Sequence, residues 1–252
     1  MKKKSVIIII VVLIVCAIFL AIKLFGNNTN EVLNQEEHLN NSENISTSKD
    51  VEQLNVILNN KELWYKDDEF DKYSYAVTDL DQNGRLEIIS SICQGTGLYT
   101  YTTIYEVNET LDRLSLCESN LEEYDSQADI IKDAWNVFYD KENSKYYYIF
   151  DDVTRNGMAE VYENKRYFSL NNGNIVEEYL VRKSTIYQNG TPEITFTDVN
   201  DNVITEEEYN NFENQHFANL EKMIVNIEWL ANYSEIGLAE LENSYSNFKL
   251  TK

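Results

Sequence analysis

The chain opens with MKKKSVIIIIVVLIVCAIFLAIKLFG, in which Val6 to Ile22 are 17 apolar residues without a break. Nothing else in the sequence constrains the chain as much. A helix rises about 1.5 Å per residue, so roughly 20 apolar residues cross the hydrocarbon core of a bilayer. Leu24 and Phe25 extend the run past Lys23, whose long side chain can snorkel to the interface. Lys2, Lys3 and Lys4 stand before it, and such charges stay on the cytoplasmic side. The expectation is a cytoplasmic stub over 1–4, a transmembrane anchor over 5–25 and everything later outside the cell membrane. A cleaved signal peptide would have a shorter apolar core ending in a small-x-small site. A lipoprotein would put a small residue before its cysteine, whereas Val15 precedes Cys16 and an apolar AIFLAI follows it.

The remainder is acidic. Four of the 21 Lys and Arg, and none of the 43 Asp and Glu, precede Gly26, which leaves residues 26–252 with a formal charge of −26. Such a surface excludes nucleic acid as a partner, since phosphate backbones need a basic footprint. It is compatible with cationic partners and with cations, calcium included, and also with simple solubility. The partners that fit are the membrane, through the N-terminal helix, and an extracellular protein or glycan.

Residues 26–47, GNNTNEVLNQEEHLNNSENIST, are rich in Asn, Glu and Ser and read as a disordered spacer. Residues 48–252 are long enough for one sizeable core. KDVEQLNVILNNKELW places Val51, Leu54, Ile57 and Leu58 at helical spacing, with Asp50 as N-cap. Tyr73, Tyr75 and Val77 alternate as a strand, Leu86, Ile88 and Ile89 begin a second, and Tyr99 to Val107 make a third. Gln127 to Tyr139 is expected to be helical. Asn172-Gly173 and Asn189-Gly190 each sit between strand-like runs, the strongest short-range hairpin signal. Asp151 to Gly157 reads as a turn. Thr205 and Glu208 form a capping box opening a helix to about Leu220, and SEIGLAELENSYSNF reads as a last helix. This order predicts an α+β fold, with an antiparallel β-sheet with hairpins plus N-terminal and C-terminal helices.

One segment carries chemistry. In DLDQNGRLE, Asp79, Asp81 and Asn83 offer side-chain oxygens at alternate positions, and Gly84 stands at a sharp turn. Calcium takes six to eight oxygens at about 2.3–2.6 Å, and this pattern fits positions 1, 3, 5 and 6 of a calcium loop. Arg85 would add its carbonyl and Glu87 would close the shell. The helical EF-hand form fails, because Ser90 stands where a bidentate Glu belongs and the flanks read as strands. The competing reading is a polar turn whose Asp and Asn side chains bond their own backbone. Asp198, Asn200 and Asn202 also alternate, but Val203 takes the place of the glycine.

The run YAVTDLDQNGRLEIIS resembles the calcium loops of integrin-α-type (FG-GAP) repeats. With QGTG (Gln94 to Gly97), TTIYEV and LENSYSNF (Leu241 to Phe248), it also resembles uncharacterised membrane-anchored surface proteins of Gram-positive bacteria. The resemblance implies a calcium loop and a cell-surface location. It does not imply a propeller, since one copy is present.

Catalytic signals are absent from the sequence. His38 lies in the spacer, His216 lies within an amphipathic helix, and no nucleophile motif accompanies either. A hydrolase using paired carboxylates is the enzymatic alternative. An acidic inhibitor of a cationic protein is a further one. The 18 tyrosines and three tryptophans serve either as core or as stacking surfaces for sugars and partners, and Tyr146-Tyr147-Tyr148 is expected to expose at least one ring. Cys93 and Cys117 could form one disulfide or remain thiols.

Overall fold

A computed structural model describes residues 47–67, 71–121, 126–188, 190–232 and 235–252. The expected stub, anchor and nearly all of the spacer, residues 1–46, lie outside the described residues. Among those described, no helix is long and apolar enough to cross a membrane.

The chain begins with helix α1 (Ser48–Asn59) and the single turn α2 (Lys61–Trp64), followed by strands β1 (Ser74–Thr78), β2 (Glu87–Gln94), β3 (Tyr99–Val107), β4 (Leu114–Leu116) and β5 (Glu118–Ser119). Five longer strands come next: β6 (Ala134–Asp140), β7 (Lys145–Asn156), β8 (Glu160–Asn171), β9 (Asn174–Gln188) and β10 (Thr191–Asp198). The chain closes with β11 (Val203–Ile204), α3 (Glu206–His216), β12 (Glu221–Asn226), β13 (Leu230–Ala231), α4 (Leu238–Asn247) and β14 (Leu250–Thr251). Two sheets result. The smaller runs β13-β1-β2-β3-β4, and the larger runs β11-β10-β9-β8-β7-β6-β12-β14, with β5 pairing in parallel with β9. All other pairs are antiparallel.

The side-chain period of two divides each strand between two cores. Ala76, Ile89 and Ile104 of the small sheet meet Trp135, Val137, Tyr148, Phe150, Phe168 and Leu170 of the large one in a central core. Tyr75, Val77 and Ile88 face the other way, against Leu54, Ile57, Trp64 and Leu241 from the helices. Ile149, Tyr167 and Leu180 use the outer face of the large sheet, where Phe217, just beyond α3, covers them. The order is therefore helices, small sheet, large sheet, helix: an α+β domain with mostly antiparallel sheets.

Three expectations fail for this reason. Tyr147 packs on the outer core and Tyr146 on the central one, while Tyr148 is fully buried, so no ring of the triplet is freely exposed. Gln127–Tyr139 is not a helix: β6 pairs with β7 and β12, and its apolar residues on successive positions face two covered sides. Asp151 to Asn156 continues β7, and the turn falls at Gly157, where φ is +64°. Cap details shift as well. Thr47, not Asp50, is the N-cap of α1, and Asp50 completes its capping box as N3. The Thr205/Glu208 capping box is present, but α3 ends at His216 rather than near Leu220. Asn172-Gly173 forms the β8–β9 hairpin with φ of +50° and +74°, and β9 and β10 pair through Gln188↔Thr191. Asn189 lies outside the described residues.

Candidate metal centre

The loop DLDQNGRLE connects β1 to β2, at the end of a register that pairs Thr78 with Glu87. The turn is built with positive φ at Gln82 (+55°) and Gly84 (+77°), the second a conformation glycine adopts without strain. The loop is held from outside. Lys49 Nζ and Gln53 Nε2 of α1 donate to the Gly84 carbonyl at 2.8 and 3.2 Å, and the Leu86 N–H donates to Gln53 Oε1 at 2.9 Å. Tyr148, from the large sheet, donates its hydroxyl to the Leu80 carbonyl at 2.5 Å.

Asp79, Asp81 and Glu87 each bring a carboxylate oxygen to within 4.8 Å of the others. Asp79 is 8% exposed and Glu87 fully buried. One oxygen of each is committed: Asp79 Oδ2 accepts the Gly84 N–H at 3.1 Å, and Glu87 Oε2 accepts the Leu80 N–H at 2.8 Å and the Thr78 hydroxyl at 3.0 Å. The other two, Asp79 Oδ1 and Glu87 Oε1, are buried without a hydrogen-bond partner. Buried polar atoms are nearly always satisfied, so two orphaned carboxylate oxygens in one acidic cluster call for a cation or a proton. Burial pushes the Asp79 carboxyl up to about 6; the Gly84 N–H opposes this and the neighbouring Asp81 adds to it. Burial, then the Asp79 charge, raises Glu87 well above the usual carboxylate range. Both shifts report charge crowded into a dry site. A metal ion would reverse them, because it favours the ionised ligands. The triad can hold a metal ion.

The side chains of the remaining members of the expected shell, Asn83 and Arg85, have partners of their own; Arg85 was expected to offer only its carbonyl. Asn83 Oδ1 accepts the Arg85 N–H at 2.7 Å, and its amide donates to Glu106 Oε1 at 2.8 Å. The Arg85 guanidinium pairs with Glu106 at 2.8 Å and reaches exposed Glu109 at 3.7 Å. Asn83 and Arg85 thus brace the turn through side chains. Glu106 stands opposite Glu87 in the β2–β3 register and was not singled out by the sequence reading. The signal that could have found it is the hairpin register, which places the last acid of TTIYEV beside the loop. Tyr148 and Asn172, whose N–H reaches Asp81 Oδ2 at 3.4 Å, come from distant segments and left no local signal.

The second alternating run behaves as a turn. Asp198 Oδ1 accepts the N–H groups of Asn200 and Asn202 at 2.8 and 2.9 Å, and Oδ2 accepts the Asn202 amide at 3.0 Å. Cys93 and Cys117 are both free thiols, the first exposed and the second buried. Trp64 and Trp135 lie in the cores, and the Trp229 indole donates to the Lys132 carbonyl at 2.9 Å. A separate buried charge cluster lies on the large sheet. Arg166 contacts Glu177 at 2.6 Å and Asp152 at 3.5 Å, beside a register shift in β8.

No family model, curated protein or solved structure matches the chain, so the site is read from its own geometry.

Proposed function

We propose that the described domain is the extracellular, non-catalytic interaction module of a single-pass, membrane-anchored bacterial surface protein, stabilised by calcium at Asp79, Asp81 and Glu87. The observation that carries the calcium reading is the pair of orphaned oxygens, Asp79 Oδ1 and Glu87 Oε1, within a set of carboxylates spaced no more than 4.8 Å apart. Oxygens on opposite sides of an ion with bonds of about 2.3–2.6 Å lie at about that separation. An all-oxygen donor set favours calcium over zinc, whose structural sites use Cys and His. The ion would be structural, since loop, helix α1 and both sheets converge on it. The location rests on the 17-residue apolar run and its preceding lysines.

The paired-carboxylate hydrolase is less well supported. The buried acid pair on the large sheet, Asp152 and Glu177, is 3% and 6% exposed and flanks a guanidinium, which closes it to a polysaccharide.

The test is a calcium titration of the melting temperature of the full chain after chelation, alongside the Asp79→Ala/Asp81→Ala variant. Ligand at a hundredfold excess over Kd stabilises by about 2.7 kcal/mol, or about 5–10 °C for a domain of this size. A saturable rise that the variant lacks is the expected result. A flat response at millimolar calcium would leave the loop as a polar turn.

A further inference from the structure

A groove of about 270 Å³ opens on the helix-facing side of the small sheet, beyond the end of α2. Its floor is the β2–β3 ladder, in which Ser90 stands opposite Thr103 and Ile92 opposite Tyr101. Tyr73, Tyr105 and Gln94 complete the wall. Its edge is rigid. The Tyr75 hydroxyl accepts the Lys66 N–H at 2.9 Å, and Tyr75 stacks between Tyr65 and Tyr73 at 5.5 and 6.4 Å. Trp64 lies fully buried beneath, its indole donating to the Ile57 carbonyl at 3.0 Å.

Two properties of this lining point to a ligand. In a chain of net charge −22, the ten described lining residues include no acid and one cation, Lys66. The polar side chains are also uncommitted: among the described residues, the hydroxyls of Ser90, Tyr101, Thr103 and Tyr105 and the amide of Gln94 have no hydrogen-bond partner, although Ser90 is 5% exposed. Ring faces beside idle hydroxyls and an amide suit a molecule with apolar C–H faces and hydroxyl edges. The groove floor lies on the face of the sheet, where β2 and β3 hydrogen-bond to each other along their whole paired length, so a ligand there meets side chains and not free backbone groups.

We infer that this groove is a binding site for a neutral carbohydrate, with Tyr101 and Tyr105 as stacking platforms and Ser90, Thr103 and Gln94 as hydrogen-bonding groups. Its volume lies just below the roughly 300–1,000 Å³ of ordinary ligand pockets, the scale of a short stretch of glycan. The inference goes beyond the calcium reading and shares no side chain with it.

Saturation-transfer NMR tests it on the full chain, kept in a detergent without a sugar headgroup. The probes are tetramers of β-1,4-linked glucose, α-1,4-linked glucose and β-1,4-linked N-acetylglucosamine. At least one probe should receive saturation. Its Kd should rise about tenfold in Tyr101→Ala, the scale of one lost stacking contact. The near-isosteric Thr103→Val should weaken it severalfold, and Tyr187→Ala, an exposed tyrosine on β9, should leave it unchanged. Melting curves establish that each variant is folded. Absence of transfer from all three probes at millimolar concentration would overturn the proposal, as would binding that both groove variants retain. A synthetic peptide of residues 26–46 that shifts the Tyr101 and Thr103 amides would also overturn it, by assigning the groove to the chain itself.

Discussion

The Tyr148 hydroxyl donates to the Leu80 carbonyl at 2.5 Å, joining the middle of the large sheet to the peptide between Asp79 and Asp81. Tyr148 is fully buried and so is Leu80. The bond makes the loop part of the central core instead of a surface turn. Tyr148→Phe should therefore destabilise the domain by about 1–3 kcal/mol, the cost of an orphaned buried carbonyl. It should also weaken calcium binding about twofold to tenfold by loosening the loop. Urea denaturation with and without calcium measures both effects.

Asp79→Asn should move stability in opposite directions with and without metal. In chelator, the substitution removes a charge that burial disfavours, and the melting temperature should hold or rise. In calcium, a ligand charge is lost and the metal-dependent increment should disappear. A fall of equal size in both conditions would count against a metal at this site.

Arg166 stands fully buried between two acids whose carboxyls burial raises, Asp152 to about 6 and Glu177 to about 7, with the guanidinium opposing the shift in both. A carboxyl whose folded pKa exceeds its unfolded value contributes stability that is complete below the unfolded value, near 4, and is lost as pH rises through the folded one. The melting temperature should thus rise between pH 8 and pH 5 in metal-free protein. The double variant Asp152→Asn/Glu177→Gln should flatten that slope. Arg166→Met should cost about 3–5 kcal/mol at pH 8, since it leaves uncompensated buried charge, and less at pH 5.

Cys93 is exposed and Cys117 buried, and burial pushes the Cys117 thiol well up. In a Cys16→Ser background, a thiol reagent should titrate one group in native protein and two after unfolding. A membrane-impermeant maleimide applied to intact cells should label Cys93 if the domain lies outside. Labelling only after lysis would place it inside and remove the surface-module reading.

Much was legible locally. Hairpin Asn172-Gly173 and the capping box of Thr205 and Glu208 depend on a few adjacent residues whose backbone preferences need no tertiary support. The loop acids Asp79, Asp81 and Glu87 were legible for the same reason, since alternate spacing around a glycine is a local pattern. What failed needed long-range information. The stretch ending in AWNVFY passes for a helix until β7 and β12 pair with its two edges and its faces are covered, Trp135 and Val137 by the central core and Phe138 by Phe217, because a strand covered on both faces carries apolar residues at successive positions. For the same reason Tyr148 is fully buried and Tyr146 and Tyr147 are half-buried. Asn83 was read as a side-chain ligand and Arg85 as a carbonyl ligand, and only the β2–β3 register brings Glu106 close enough to engage both side chains. The sequence by itself determined most of the elements, the acidic loop and the apolar N-terminal run. Tertiary structure decided which oxygens were left without partners and which tyrosines opened onto a groove. Both depend on what distant segments bury, and burial cannot be read from spacing along the chain.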